Sequence, residues 1–351
     1  MYGRATVVLL TNFGIIAFAK HDLPLDFNDI VVYAKPGDAM QLSKLTADEN
    51  EDLKINCGRT RRQWLSTPYK ISAGSAAKLG QFPWAVALTT MSQKRYNYCG
   101  GSIISKRHIL TAAHCFMKYE NDQLPCTTAT NLDDITEFIA RYGGVCLRSN
   151  SPPCDGKLCM TARINKIAIH RRFMDDGCIG GFDFAIIEME TDLMFDTTTS
   201  AICLPNSSFD LNSAENLFDY GFGDNENGES MSRLNYGSAK IISVGEKTDF
   251  IRAGPIHKPK INHLSRHLCC KSISNFTCTL VLITTGNREL KGDSGGGLQG
   301  LVKQRVFLLG VHSFGPKACY SGSPFTVTDT RPYAQLICDL TGICYHLSPL
   351  K

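Results

Sequence analysis

Short apolar runs separated by turn-forming residues make up most of the chain. Trp84 to Leu88, Arg163 to Ile169, Phe184 to Met189, Ala239 to Val244 and Arg305 to Phe314 are rich in Val, Ile, Leu, Ala and Phe, with Gly, Pro, Asn and Asp between the runs. Runs of this length and composition predict β-strands, and their recurrence predicts an all-β chain. Two stretches read differently. Ala5 to Ala19 is mostly apolar and uncharged, follows Arg4 and ends Ala17-Phe18-Ala19. That is the pattern of a secretory signal peptide over residues 1–19, too short and too promptly followed by Lys20 for a membrane span. Residues 20–56 are acidic and lack a strong core pattern until Leu42 to Ile55, where Ser43 is a candidate cap for a short amphipathic helix.

Composition narrows the classes. The 351 residues carry a net charge of +4, and Lys and Arg are dispersed apart from Arg59-Thr-Arg-Arg62, so no basic face for nucleic acid is expected. Fifteen cysteines behind an export signal predict a disulfide framework, and the odd number requires at least one free thiol or a bridge to another chain. Asn206 in Asn-Ser-Ser and Asn275 in Asn-Phe-Thr are glycosylation acceptors consistent with a secreted, extracellular protein. His263 and His267, four apart and close to Cys269 and Cys270, have a spacing that suits zinc. In an exported chain those cysteines are expected to be oxidised, so no metal site is predicted.

Three short motifs carry the chemistry. Thr-Ala-Ala-His-Cys at 111–115 supplies His114, Gly-Phe-Asp-Phe-Ala-Ile-Ile at 181–187 supplies Asp183, and Gly-Asp-Ser-Gly-Gly-Gly at 292–297 supplies Ser294. A serine hydroxyl is a poor nucleophile near neutral pH unless a base takes its proton and fixed donors receive the developing oxyanion. Singly, each of these is as readily a core histidine, a strand-end aspartate or a turn serine. Together, in the order His, Asp, Ser and with their flanking residues, they resemble the chymotrypsin and trypsin family of serine proteases. The resemblance extends through residues 73–88, Cys-Gly-Gly-Ser-Ile-Ile at 99–104, Tyr-Gly-Phe-Gly at 220–223 and His-Ser-Phe-Gly at 312–315, covering about residues 57–337. The insertion-rich gap between His114 and Asp183, which holds Ser149 to Gly156, also resembles the expanded nematode branches of that family.

The resemblance implies two six-stranded antiparallel β-barrels, about 71–205 and 206–330, a helix near 330–340, and a cleft between the barrels. Residues 71–351 would be the peptidase domain and 20–70 a propeptide cut after Lys70. The freed ammonium of Ile71 would pair with Asp293, and the departures Ser72 and Ala73 mean that its pocket must be repacked. Ser294 would be the nucleophile, His114 the base, Asp183 its orienting partner, and the amides of Gly292 and Ser294 the oxyanion donors. Cys99 with Cys115 and Cys57 with Cys203 are the implied disulfides, Cys338 with Cys344 a further one. Ser313, Phe314 and Gly315 would meet substrate.

Specificity is where the match loosens. Arg288 stands six before Ser294, at the base of the primary pocket, where it would favour an acidic side chain or else turn outward to solvent or Glu289. Phe325 takes a pocket-wall position where many members have glycine. The expected activity is therefore a cofactor-free serine endopeptidase that is not trypsin-like, cutting protein or peptide substrates after small or acidic residues. Its expected partners are an activating trypsin-like protease and inhibitors of the serpin or Kunitz type. The rival reading is a homologue that binds a partner without cleaving it.

Overall fold

The computed structural model describes residues 29–60, 75–91, 97–117, 134–148, 157–175, 181–223, 232–245, 248–255, 294–314 and 324–344. Its strands, in chain order, are β1 (Ile30–Ala34), β2 (Ser75–Ala76), β3 (Ala85–Thr90), β4 (Cys99–Ile103), β5 (His108–Thr111), β6 (Phe138–Tyr142), β7 (Met160–His170), β8 (Ala185–Met189), β9 (Glu215–Gly221), β10 (Asn235–Val244), β11 (Phe250–Pro255), β12 (Gly297–Val302), β13 (Arg305–Phe314) and β14 (Phe325–Asp329). They form two antiparallel barrels of six strands each, as the family resemblance implied. The first runs β7-β6-β3-β4-β5-β8 and closes through β7–β8; the second runs β11-β14-β13-β12-β9-β10 and closes through β11–β10. Closure leaves little open edge to template association. Each barrel is filled by its own apolar runs: Ile103, Ile109, Ile167, Ile169, Ile186 and Ile187 in the first, Leu298, Leu308, Leu309, Val311 and Val327 in the second.

The barrels meet through fully buried contacts. The indole N–H of Trp84 donates to Gln299 Oε1 at 2.8 Å. Ser102 and Tyr220 share a hydroxyl hydrogen bond of 2.7 Å, and Phe82 stacks on Tyr220 with centroids 5.2 Å apart. Polar side chains at such depth are tolerable only because each is paired.

Two strands cross the expected boundaries. β2, just after the expected cut, pairs with β10 of the second barrel. β1, from the stretch read as propeptide without a strong core pattern, adds to the first barrel through five register pairs with β7, Ile30↔His170 to Ala34↔Lys166. The helix that follows spans Ala47–Asn56, and Thr46 caps it instead of Ser43. Thr46 Oγ1 accepts from Glu49 N–H at 3.2 Å while Glu49 accepts from Thr46 N–H at 2.8 Å, a reciprocal capping box. Ser43 instead donates its backbone N–H to Glu188.

This segment is packed as core. Leu42, Leu45, Leu53 and Cys57 are buried, and each buried leucine contributes about 2 kcal/mol. The Asn50 side chain exchanges two hydrogen bonds with the backbone of Cys344, and Arg305 Nη1 donates to the carbonyls of Lys54 and Cys57, both at 2.9 Å. Glu49 pairs with Lys106 at 2.9 Å and Arg107 at 2.7 Å. Disulfides join Cys57 to Cys203, Cys99 to Cys115 and Cys338 to Cys344. The last staples the end of the C-terminal helix Ala334–Thr341, which follows a 3₁₀ turn at Arg331–Tyr333. Among the described residues Cys159 is a free thiol, and burial pushes it up to about 12.

Candidate active site

His114 lies in a 3₁₀ turn, Ala113–Phe116, directly after β5, and the Cys99–Cys115 disulfide fastens that turn to β4. Asp183 stands two residues before β8, which pairs with β5 in the register Thr111↔Ala185. Neighbouring strands of the first barrel thus deliver both side chains to one end. His114 Nδ1 is 2.8 Å from Asp183 Oδ2, and the His114 backbone N–H donates to Asp183 Oδ1 at 2.9 Å. The second barrel completes the environment of the carboxylate. Ser313 Oγ, on β13, donates to Asp183 Oδ2, and Thr328 Oγ1, on β14, donates to the Asp183 carbonyl at 3.0 Å.

Asp183 is buried, and desolvation alone would raise its carboxyl. The charge on His114 and the hydrogen bonds from His114 and Ser313 outweigh that, holding it below the ordinary aspartate range. An ionised Asp183 bonded to Nδ1 leaves the other ring nitrogen, Nε2, able to take a proton. His114 remains partly open to solvent, its side chain 21% exposed.

Ser294 reaches this end of the molecule just ahead of β12. Its carbonyl accepts from the Gly100 N–H at 2.6 Å. The next residue, Gly295, has φ of +79°, and a β-carbon there would lie 2.2 Å from Thr111 Oγ1 and 3.2 Å from the Ala112 nitrogen, so only glycine lets the loop abut the residues leading into His114. Gly295 and Gly296 are in turn bonded to the backbone of His312 at 2.8 Å each. Three of the expected site residues are therefore joined, His114 and Ser313 both bonding to Asp183, while Ser294 is anchored to Gly100 and is followed by Gly295, which abuts Thr111 and Ala112.

Phe325 stacks on His312 with ring centroids 4.5 Å apart and 28° between planes, and His312 Nε2 is 3.3 Å from Asp219 Oδ2. Phe314 meets Phe250 edge to face at 5.4 Å. Asn206 is partly exposed in an Asx turn, its Oδ1 accepting from Ser208. Lys70, Ile71, Asn275, Arg288, Gly292, Asp293 and Gly315 lie outside the described residues, as do His263, His267, Cys269 and Cys270. The sequence reading gave no role to Thr328 on β14 or to His312 on β13, because neither strand carries a local sign that the first supports the aspartate and the second backs Phe325.

Comparison with known proteins decides the family. The Trypsin family model matches residues 159–337 and a Nematode trypsin-6-like family model matches residues 38–135. The chain belongs to the trypsin family. Among its relatives, this trypsin-family chain is 27% identical over 186 residues to human Transmembrane protease serine 11B, covering 53% of the chain and 38% of that relative. It is also 27% identical over 285 residues to CLIP domain-containing serine protease B4 of Anopheles gambiae, covering 77% of the chain and 70% of that protein. The nematode-type match begins within the N-terminal segment that the first barrel incorporates, and the Trypsin match takes in Asp183, Ser294, Ser313 and Thr328. No helix among the described residues is long and apolar enough to cross a membrane.

Proposed function

We propose that this trypsin-family chain is a secreted serine endopeptidase, made as a zymogen and armed by cleavage after Lys70. The observation that carries the reading is the paired bond between His114 and Asp183, supported from the opposite barrel by Ser313 and Thr328. In this reading Ser294 Oγ attacks the scissile carbonyl as His114 Nε2 takes its proton, while the amides of Gly292 and Ser294 receive the oxyanion. The tetrahedral intermediate collapses when His114 returns the proton to the leaving amine. Water, deprotonated by the same ring, then attacks the acyl-enzyme and releases the acid, restoring the Ser294 hydroxyl. Asp183 stays ionised throughout, and no cofactor enters.

For specificity, Phe325 packed on His312 favours a shallow primary pocket. Together with Arg288 this supports cleavage after small or acidic residues. Such an enzyme cannot cut efficiently after its own Lys70, so a trypsin-like protease must activate it. Profiling the Lys70-cleaved protein on a peptide library tests this. Turnover after small or acidic residues that vanishes in Ser294→Ala is expected; efficient cleavage after Lys or Arg would overturn the specificity.

A further inference from the structure

Asp183 is the apex of a tight turn: the carbonyl of Phe182 accepts from the N–H of Phe184 at 2.8 Å, so the direction of the Asp183 side chain follows the backbone of Phe182. That backbone is unusual. Phe182 has φ of +59°, the left-handed region, which costs a residue with a bulky side chain about 1–2 kcal/mol. Something must hold it there.

The holder is a side chain that the triad chemistry does not use. Asp249 is 4% exposed, and its Oδ2 accepts from the Phe182 N–H at 2.8 Å and from the Tyr333 hydroxyl. Gly181, with φ of +113°, makes room for it: a β-carbon at 181 would stand 2.5 Å from Asp249 Oδ1. The Phe182 ring is fixed by its neighbours, 4.5 Å from His170 and 6.1 Å from Tyr333 between centroids, with the Arg172 guanidinium over its face. The groups facing the Asp249 carboxyl are thus Tyr333, the Phe182 amide and, through space, Asp183.

Asp249 is itself rigidly placed. It precedes β11, which pairs with β14 in the register Phe250↔Thr328, and its carbonyl accepts from the Asp329 N–H at 2.6 Å. The same strand pair therefore supplies both holds on the aspartate: Thr328 grips the Asp183 carbonyl from β14, and Asp249 grips the preceding amide from the start of β11. Both belong to the second barrel, whereas Asp183 and His114 belong to the first.

We infer that Asp249 is a positioning residue, clamping Phe182 so that Asp183 meets His114, and so fixing the aspartate of one barrel from the other. The inference rests on reading Asp183 as the aspartate of a working triad. It goes beyond that reading by assigning a role to a buried carboxylate that accepts from the Phe182 amide and the Tyr333 hydroxyl.

The test reads the hydrogen bond directly, by proton NMR of the full chain, using the downfield resonance of the His114 Nδ1 proton. In Asp249→Ala this resonance is expected to broaden or move upfield, and in the activated enzyme kcat should fall about 10²-fold with KM nearly constant, the scale of a misplacement near 1 Å. Asp249→Asn, which keeps an acceptor oxygen for the Phe182 amide, should restore most of both. Leu340→Ala loosens the C-terminal helix without touching Asp249, and should lower Tm while leaving the resonance in place. An unchanged resonance in Asp249→Ala, or an equal shift in Leu340→Ala, would overturn the inference. If Asp249→Ala does not fold, Gly181→Ala, whose methyl displaces the Asp249 carboxylate, must move the resonance in the same direction. A wild-type protein that turns over no substrate would count against the protease reading instead, and the resonance would still decide the role of Asp249.

Discussion

The Gly100 N–H donates to the Ser294 carbonyl at 2.6 Å, so Cys-Gly-Gly-Ser and Gly-Asp-Ser-Gly-Gly-Gly, nearly two hundred residues apart, meet backbone to backbone. The contact has no room for side chains. A β-carbon on Gly100 would lie 2.9 Å from the Gly296 nitrogen, and one on Gly295 would lie 2.5 Å from the Gly100 carbonyl oxygen. Gly100→Ala and Gly295→Ala should each destabilise the protein by about 1–3 kcal/mol, read as a fall in Tm. Gly295→Ala, strained in φ as well, should be the worse.

Asp183→Asn removes the negative charge that holds the His114 tautomer. The expected loss in kcat is about 10⁴-fold, the scale this change has in the family from which the triad template comes. Steady-state kinetics of the activated variant checks it. Ser313→Ala, which deletes one of several donors to Asp183, should cost far less.

Two windows of pH dependence follow from buried or paired groups. His108 is fully buried, and burial lowers it from 6.5 to about 4. The unfolded chain binds its proton first, so the stability that neutral His108 contributes is present above pH 6.5 and is lost as pH falls toward 4. Glu49 is lowered from 4.5 to about 2, chiefly by its bond to Lys106 and then by the Thr46 N–H. Its contribution is present above 4.5 and lost as pH falls toward 2. Denaturant melts across pH should show both; His108→Asn should flatten the upper window alone.

Much of this was legible in the sequence. The apolar runs predicted an all-β chain, because strands alternate or bury short stretches that are visible locally, and the closure into two barrels came from the family resemblance. The segments bearing His114, Asp183 and Ser294 were legible because each is short and carries its own neighbours. β1 was not: only Val32 of its five residues is buried, and its partner β7 begins 130 residues later. The helix cap was misassigned although Thr46 and Glu49 spell a capping box, a signal present in the sequence. Asp249 carries no signal of its own in Glu-Lys-Thr-Asp-Phe, because the partner that meets its buried carboxylate, Tyr333, lies 84 residues on.

The N-terminal segment should outlast both the activating cut and its disulfide. In the uncut chain the Cys57–Cys203 link closes a loop of 146 residues, worth about 5 kcal/mol in the chain-entropy model; a cut at Lys70 opens that loop and leaves the link as a tether between the two pieces. Yet β1, Leu45, Leu53 and the Arg305 contacts also bind the segment. After cleavage at Lys70, a Cys57→Ala and Cys203→Ala double variant should still elute with both pieces together in size-exclusion chromatography. Separation in native buffer would contradict this.

Cys159 should resist alkylation in the folded protein, because burial pushes its thiol up to about 12 and leaves almost no thiolate at neutral pH. Mass spectrometry should find it modified by iodoacetamide only after denaturation.

If Ser294 is a nucleophile armed by His114 and Asp183, the Lys70-cleaved protein must react with a fluorophosphonate. A single adduct on Ser294 is expected, absent from Ser294→Ala and nearly absent from His114→Ala. A correctly cleaved, folded protein that takes no label on Ser294 would contradict it, and would mark the chain as a binding homologue.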